Sequence, residues 1–220
     1  MKRLLFILWI AVSSVSALQA EGFKWIGNRW WGISVSYSQK WYSYSAGGER
    51  HWGNYWAEGG NMQGVRFGVP VEPVFRYGLG VATGVYCEIY SCRNNAETAR
   101  IEEAAMYFPL HALYRYDFNS KANIYVETGP GLTAGLVQRV IDPTDSKAHQ
   151  YYIRFNDGSP RRVNAYWEAG IGASFGIFRF SALYSIGLTP SKRFFSTMGE
   201  MTHFYPVTPT RLTFTAAIMF

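Results

Sequence analysis

Two cysteines among 220 residues, charge on only 16% of positions and no long apolar helix mark what this sequence withholds. Cys87 and Cys92 are too few for a disulfide-stapled scaffold, and nothing around them has metal-ligand spacing. The longest apolar run, Leu4 to Val12, is shorter than the roughly 20 residues a membrane-spanning helix needs. Basic residues are scattered along the chain, which argues against nucleic acid as a partner. No cofactor motif is present, and no metal or cofactor is expected.

The first segment has a clear reading. Lys2-Arg3, the apolar run and then small residues form a secretory signal peptide over 1–20, cut after Ala20 or, as second choice, Ala17. Removing Lys2 and Arg3 from a net charge of +6 leaves about +4 on the exported domain, 21–220.

What the chain has in quantity is aromatics, at 18%, and glycine. It also has long alternating stretches, near 30–42, 62–77, 79–92, 103–118, 121–138, 161–176, 177–190 and 209–220. The connections at Gly78, Asp117 to Lys121 and Gly176 are short; those at 43–61, 93–102, 139–160 and 191–208 are long. In 106–118, Met106, Phe108, Leu110, Ala112, Tyr114, Tyr116 and Phe118 share a face. Such runs exceed the 9–11 residues of a tilted membrane strand, whereas soluble strands average about 5–6. The expected fold is therefore an eight-stranded, antiparallel, up-and-down transmembrane β-barrel, with short periplasmic turns and four longer extracellular loops.

The opposite faces carry glycine, serine and charge. Arg66, Glu72, Arg76, Glu88, His111, Arg115, Glu127, Glu168, Arg179 and Arg211 are assigned to the lumen. An eight-stranded barrel is just wide enough for its own side chains, so these charges are expected to pair as a plug. A narrow ion or solute path is the alternative. Trp25, Trp30, Trp31 and Trp41 fall where the first strand meets the two headgroup levels. Arg50, His51, Trp52, Tyr55 and Trp56 crowd the loop 43–61, a candidate surface for a ligand or partner protein. Cys87 and Cys92 close the third strand and are a candidate disulfide, although alternation turns Cys87 to the lipid side.

Tyr107-Phe108-Pro109-Leu110 leading into Tyr114-Arg115-Tyr116, Tyr125 to Gly131, and the terminal Phe220 carry a resemblance to small eight-stranded outer-membrane barrels of the OmpA/OmpX type. In particular the chain resembles the porin-like outer-membrane β-barrel families of Bacteroidetes-like bacteria. The resemblance implies a Gram-negative outer membrane, with lipid and lipopolysaccharide as surroundings. It also implies that Phe220 acts as a signal to the barrel-assembly machinery. Lipid A-modifying barrels resemble the same architecture, but Ser196, Glu200 and His203 have no spacing that sets a base against a nucleophile. No enzyme is expected. The preferred role is structural, adhesive or that of an accessory subunit. A soluble lipocalin-like binder requires an apolar lumen, the reverse of the arrangement inferred.

Overall fold

The computed structural model describes residues 30–46, 49–53, 62–93, 100–141, 150–152, 162–189, 192–198 and 201–220. The segment 1–20, read above as a signal peptide, lies outside them. The strands are β1 (Gly32–Ala46), β2 (Glu49–Gly53), β3 (Met62–Val71), β4 (Leu79–Arg93), β5 (Arg100–Asp117) and β6 (Ala122–Ile141). They continue as β7 (Gln150–Tyr152), β8 (Val163–Phe175), β9 (Phe178–Gly187), β10 (Lys192–Met198) and β11 (Met201–Met219). Eight close a ring in the order β1-β3-β4-β5-β6-β8-β9-β11, and β11 returns to β1. Every pairing in that ring is antiparallel.

Closure follows from the ends of the chain. Ile33 pairs with Ile218, Val35 with Ala216 and Tyr37 with Phe214. Trp30 N donates to Phe220 O at 3.0 Å, and Phe220 N to Trp31 O at 2.7 Å, so the seam is bonded to the last residue. A closed ladder has no edge strand, which is the condition for burying a sheet in hydrocarbon.

Alternation divides the wall into two surfaces. On β1, Ile33 is 59% exposed and Ser38 0%. The same division holds on β8, where Ile171 is 66% exposed and Glu168 0%. Exposed apolar residues continue around the ring through Phe67, Val85, Leu110, Val126, Phe180 and Phe214. A sheet solvated by water would hide this set; hydrocarbon reverses the preference.

Three features depart from the alternating pattern. The expected strand 62–77 ends at Val71, because Pro73 cannot donate to a ladder and the chain then turns through Tyr77 (φ 64°) and Gly78 (φ 78°). The connections 43–61 and 191–208 are not wholly irregular. β1 continues upward to pair with β2, and β11 starts at Met201, paired with β10. In β6, Ala104 pairs with Val137 while Ala105 pairs with Gly135, leaving Leu136 as a bulge. Leu136 and Val137 therefore both face outward, and the parity beyond them is inverted.

The short turns use local chemistry. Phe175 pairs with Phe178, and Gly176 takes a φ of 61°, the glycine-first pattern of a tight hairpin. Asn119 Oδ1 accepts from the Lys121 and Ala122 amides at 2.8 Å, which orders the turn 118–121.

Candidate functional site

The lumen holds three levels of charge. At its centre, register places Arg66 directly across from Glu88, and Arg66 Nε donates to Glu88 Oε1 at 2.9 Å. Arg211 reaches from β11 across the lumen, donating from Nη1 to both Glu88 oxygens at 2.8 and 3.0 Å. Its Nη2 donates to Glu168 Oε1 at 2.7 Å. Ser185 Oγ also donates to that oxygen, at 2.6 Å. The other Glu168 oxygen accepts from Tyr107 and, at 2.9 Å, from His111 Nε2. His111 Nδ1 lies 3.1 Å from Glu127 Oε2. With a carboxylate at each ring nitrogen, only the imidazolium satisfies both.

Above this level, towards the long connections, Lys40 pairs with Glu103, which also accepts from Gln138 Nε2 at 2.6 Å. Below it, Arg179 pairs with Glu72, and at the mouth Arg115 Nε lies 3.0 Å from Asp117 Oδ1. From Lys40 to Arg179, five cations (Lys40, Arg66, His111, Arg179, Arg211) thus meet five carboxylates (Glu72, Glu88, Glu103, Glu127, Glu168). Neutralisation of this kind is what burial of so many charges demands.

Tyrosine rings complete the packing. The guanidinium of Arg66 sits 3.9 Å from the Tyr107 ring centroid, that of Arg211 4.0 Å from Tyr166 and that of Arg179 3.7 Å from Tyr125. A cation against an aromatic face is favoured where water is excluded. Glycines leave room for these groups. A Cβ on Gly131 would stand 2.8 Å from Glu168 Cδ and 2.9 Å from Tyr107 Cε2.

The structure brings together Arg66, Glu88, His111, Glu127, Glu168 and Arg211, with Glu72 and Arg179 one level below. Arg115 stands apart at the mouth. Arg76 lies in the 3-10 turn Arg76–Gly78 and not in a strand, and its side chain is outside the described set. Lys40, Glu103, Gln138 and Tyr107 were missed. The alternation that selects Ser34, Ser36 and Ser38 extends to Lys40, and that of His111 extends to Tyr107 and Glu103. Gln138 had no such signal, because the Leu136 bulge inverts its parity.

Trp30 and Trp31 are exposed at the short-turn end, and the Trp31 ring lies 5.1 Å from that of Phe220. Trp41 is half-buried near the other end, 6.4 Å from the Tyr184 ring. Trp25, Tyr55, Trp56 and Glu200 are outside the described residues, as are the side chains of Arg50, His51, Trp52, Ser196 and His203. The candidate disulfide is corrected. Cys87 and Cys92 are not bridged; an odd separation along β4 turns them to opposite faces, and five residues of strand span about 17 Å.

An apolar exterior around paired interior charge defines a transmembrane β-barrel of eight strands. No protein-family model matches the sequence, and no curated protein does. Among solved structures, the chain is similar to Ail, the attachment invasion locus protein of Yersinia pestis, at 14% identity and a TM-score of 0.41, covering 88% of this chain and 100% of that one. That protein was solved in complex with the heparin analogue sucrose octasulfate. Neisserial surface protein A is similar at 13% identity and a TM-score of 0.38, covering 86% and 97%. The N-terminal β-barrel domain of Pseudomonas aeruginosa OprF is similar at 12% and 0.28, covering 83% and 96%.

Proposed function

We propose that this chain is a non-enzymatic integral protein of a bacterial outer membrane, exported by the secretory route. Its lumen acts as a sealed strut, and its role is structural, adhesive or that of an accessory subunit working through the long connections. The observation that carries this reading is the central charge level. Arg66, Glu88, Glu168 and Arg211 are all at most 3% exposed and bond to one another across the lumen. Packed ion pairs of that kind stiffen a wall and leave no solute-sized passage at their level.

The surroundings are outer-membrane lipid and lipopolysaccharide against the apolar belt, with Phe220 read by the barrel-assembly machinery. A surface ligand or partner is assigned to 43–61. Two experiments test the proposal. Fractionation should place the folded chain in the outer membrane, and recovery in the soluble periplasm overturns that. Reconstitution in planar bilayers should give no steady conductance; a stable open level would make the protein a narrow channel. Deacylation of purified glycolipid by the folded barrel would replace the non-enzymatic reading.

A further inference from the structure

Two cavities divide the lower lumen, and they share a wall. A vestibule of about 440 Å³ opens at the short-turn end, lined among others by Arg115, Asp117, Asn123 and Ser174. Above it a chamber of about 40 Å³ is lined by His111, Glu127, Ser181 and Thr215. Glu72 and Arg179 line both. The chamber has room for one or two water molecules, with His111, Glu127, Ser181 and Thr215 as polar partners. Beyond it stands the central level, where Arg211 is held by two carboxylates.

We propose that Glu72 and Arg179 form a gate, which admits water and ions of similar size from the vestibule to the chamber at His111 and Glu127. The central level stops them there, so the lower lumen is an aqueous half-channel and not a pore.

Three observations make this pair the movable one. Among the described residues Arg179 has a single carboxylate partner, Glu72, whereas Arg211 is fixed by Glu88 and Glu168. Arg179 also has a resting place. Its guanidinium lies on the Tyr125 ring, whose hydroxyl is tied to Phe180 O at 3.1 Å, so the cation stays sheltered when it leaves the carboxylate. Finally, Glu72 lies outside any strand, between Pro70 and Pro73, where the ladder lacks two backbone donors. The Glu72 amide is itself bonded to Trp30 O at 2.6 Å, so the freedom on that side lies in the carboxylate side chain, carried on the short non-strand segment after β3.

The test is thiol accessibility in the full folded chain, with Cys87→Ala and Cys92→Ala removing native thiols. Ser181→Cys reports on the chamber and Ser174→Cys on the vestibule, each probed with silver ion, a thiol-binding cation close to water in size, and the unreacted thiol is counted with a maleimide after denaturation. Ser174→Cys should react rapidly in every background. Ser181→Cys should react slowly with the gate intact and at least tenfold faster with Arg179→Ala. Glu72→Gln provides a second opening should Arg179→Ala fail to fold, and heat-modifiable mobility on gels verifies folding. Equal Ser181→Cys rates with the gate intact and broken, whether both fast or both slow, overturn the gate. Planar-bilayer conductance should remain absent in Arg179→Ala. Conductance there would instead strike at the sealed central level, so the two readings fail separately.

Discussion

Arg211 and Glu88 are 123 residues apart in sequence and meet across the lumen, with both carboxylate oxygens accepting from one guanidinium nitrogen at 2.8 and 3.0 Å. The other terminal nitrogen of Arg211 holds Glu168. One side chain on the last strand thereby ties β11 to β4 and to β8. Arg211→Ala leaves two carboxylates without their shared cation and should cost about 3–5 kcal/mol. Urea unfolding in lipid vesicles measures this. Arg211→Lys keeps the charge but not the fork, and should recover only part of the loss.

The two carboxylates on His111 should respond unequally. Glu168 is fully buried and accepts from Arg211, Ser185, Tyr107 and His111; Glu127 has a side chain 10% exposed and meets His111. Glu127→Ala should lower the temperature at which the folded band disappears on gels, at about 1–2 kcal/mol, without opening a pore. Glu168→Ala should cost about 3–5 kcal/mol. Unchanged stability of Glu127→Ala together with a large new conductance would sink the sealed-lumen account.

Gly131 is a space-making residue. A valine there drives its branches into the Glu168 carboxylate and the Tyr107 ring, so Gly131→Val should destabilise by about 1–3 kcal/mol. Gly176→Ala meets nothing within 4 Å, but its φ of 61° disfavours a side chain, and the cost should stay near 1 kcal/mol. The ordering of the two in denaturant titrations checks the assignment.

Ile171, 66% exposed, offers a test of the solvent itself. On a water-soluble protein, Ile171→Arg would be close to neutral. Facing hydrocarbon, it should cost about 2–4 kcal/mol, measured by reversible unfolding from vesicles.

Cys87 and Cys92 should both titrate as thiols after denaturation without reductant, and gel mobility should be the same with and without reductant. A mass two hydrogens lower, abolished by either Cys→Ala change, would restore the bridge.

Much of this was legible because strand alternation is local. Ile33, Val35 and Tyr37 against Ser34, Ser36 and Ser38 already announce two solvents, and the His111 and Arg115 positions follow the same rule. The rule broke where the backbone did. Pro73 and the positive φ of Tyr77 and Gly78 end β3 early and take Arg76 out of the strand series. The bulge at Leu136 hides Gln138. Lys40 and Glu103 obeyed the alternation, but lay at the margins of the stretches read as strands.

By itself the sequence determined which face of each strand is oily and which is charged, since side chains two residues apart always share a side. It could not decide which charges meet. Arg66 and Glu88 are neighbours through register, but Arg211 finds Glu88 and Glu168 only because β11 closes on β1 and turns all eight inner faces towards one axis. Pairing across a lumen depends on strand number, tilt and closure together, and those belong to the ring and not to any strand.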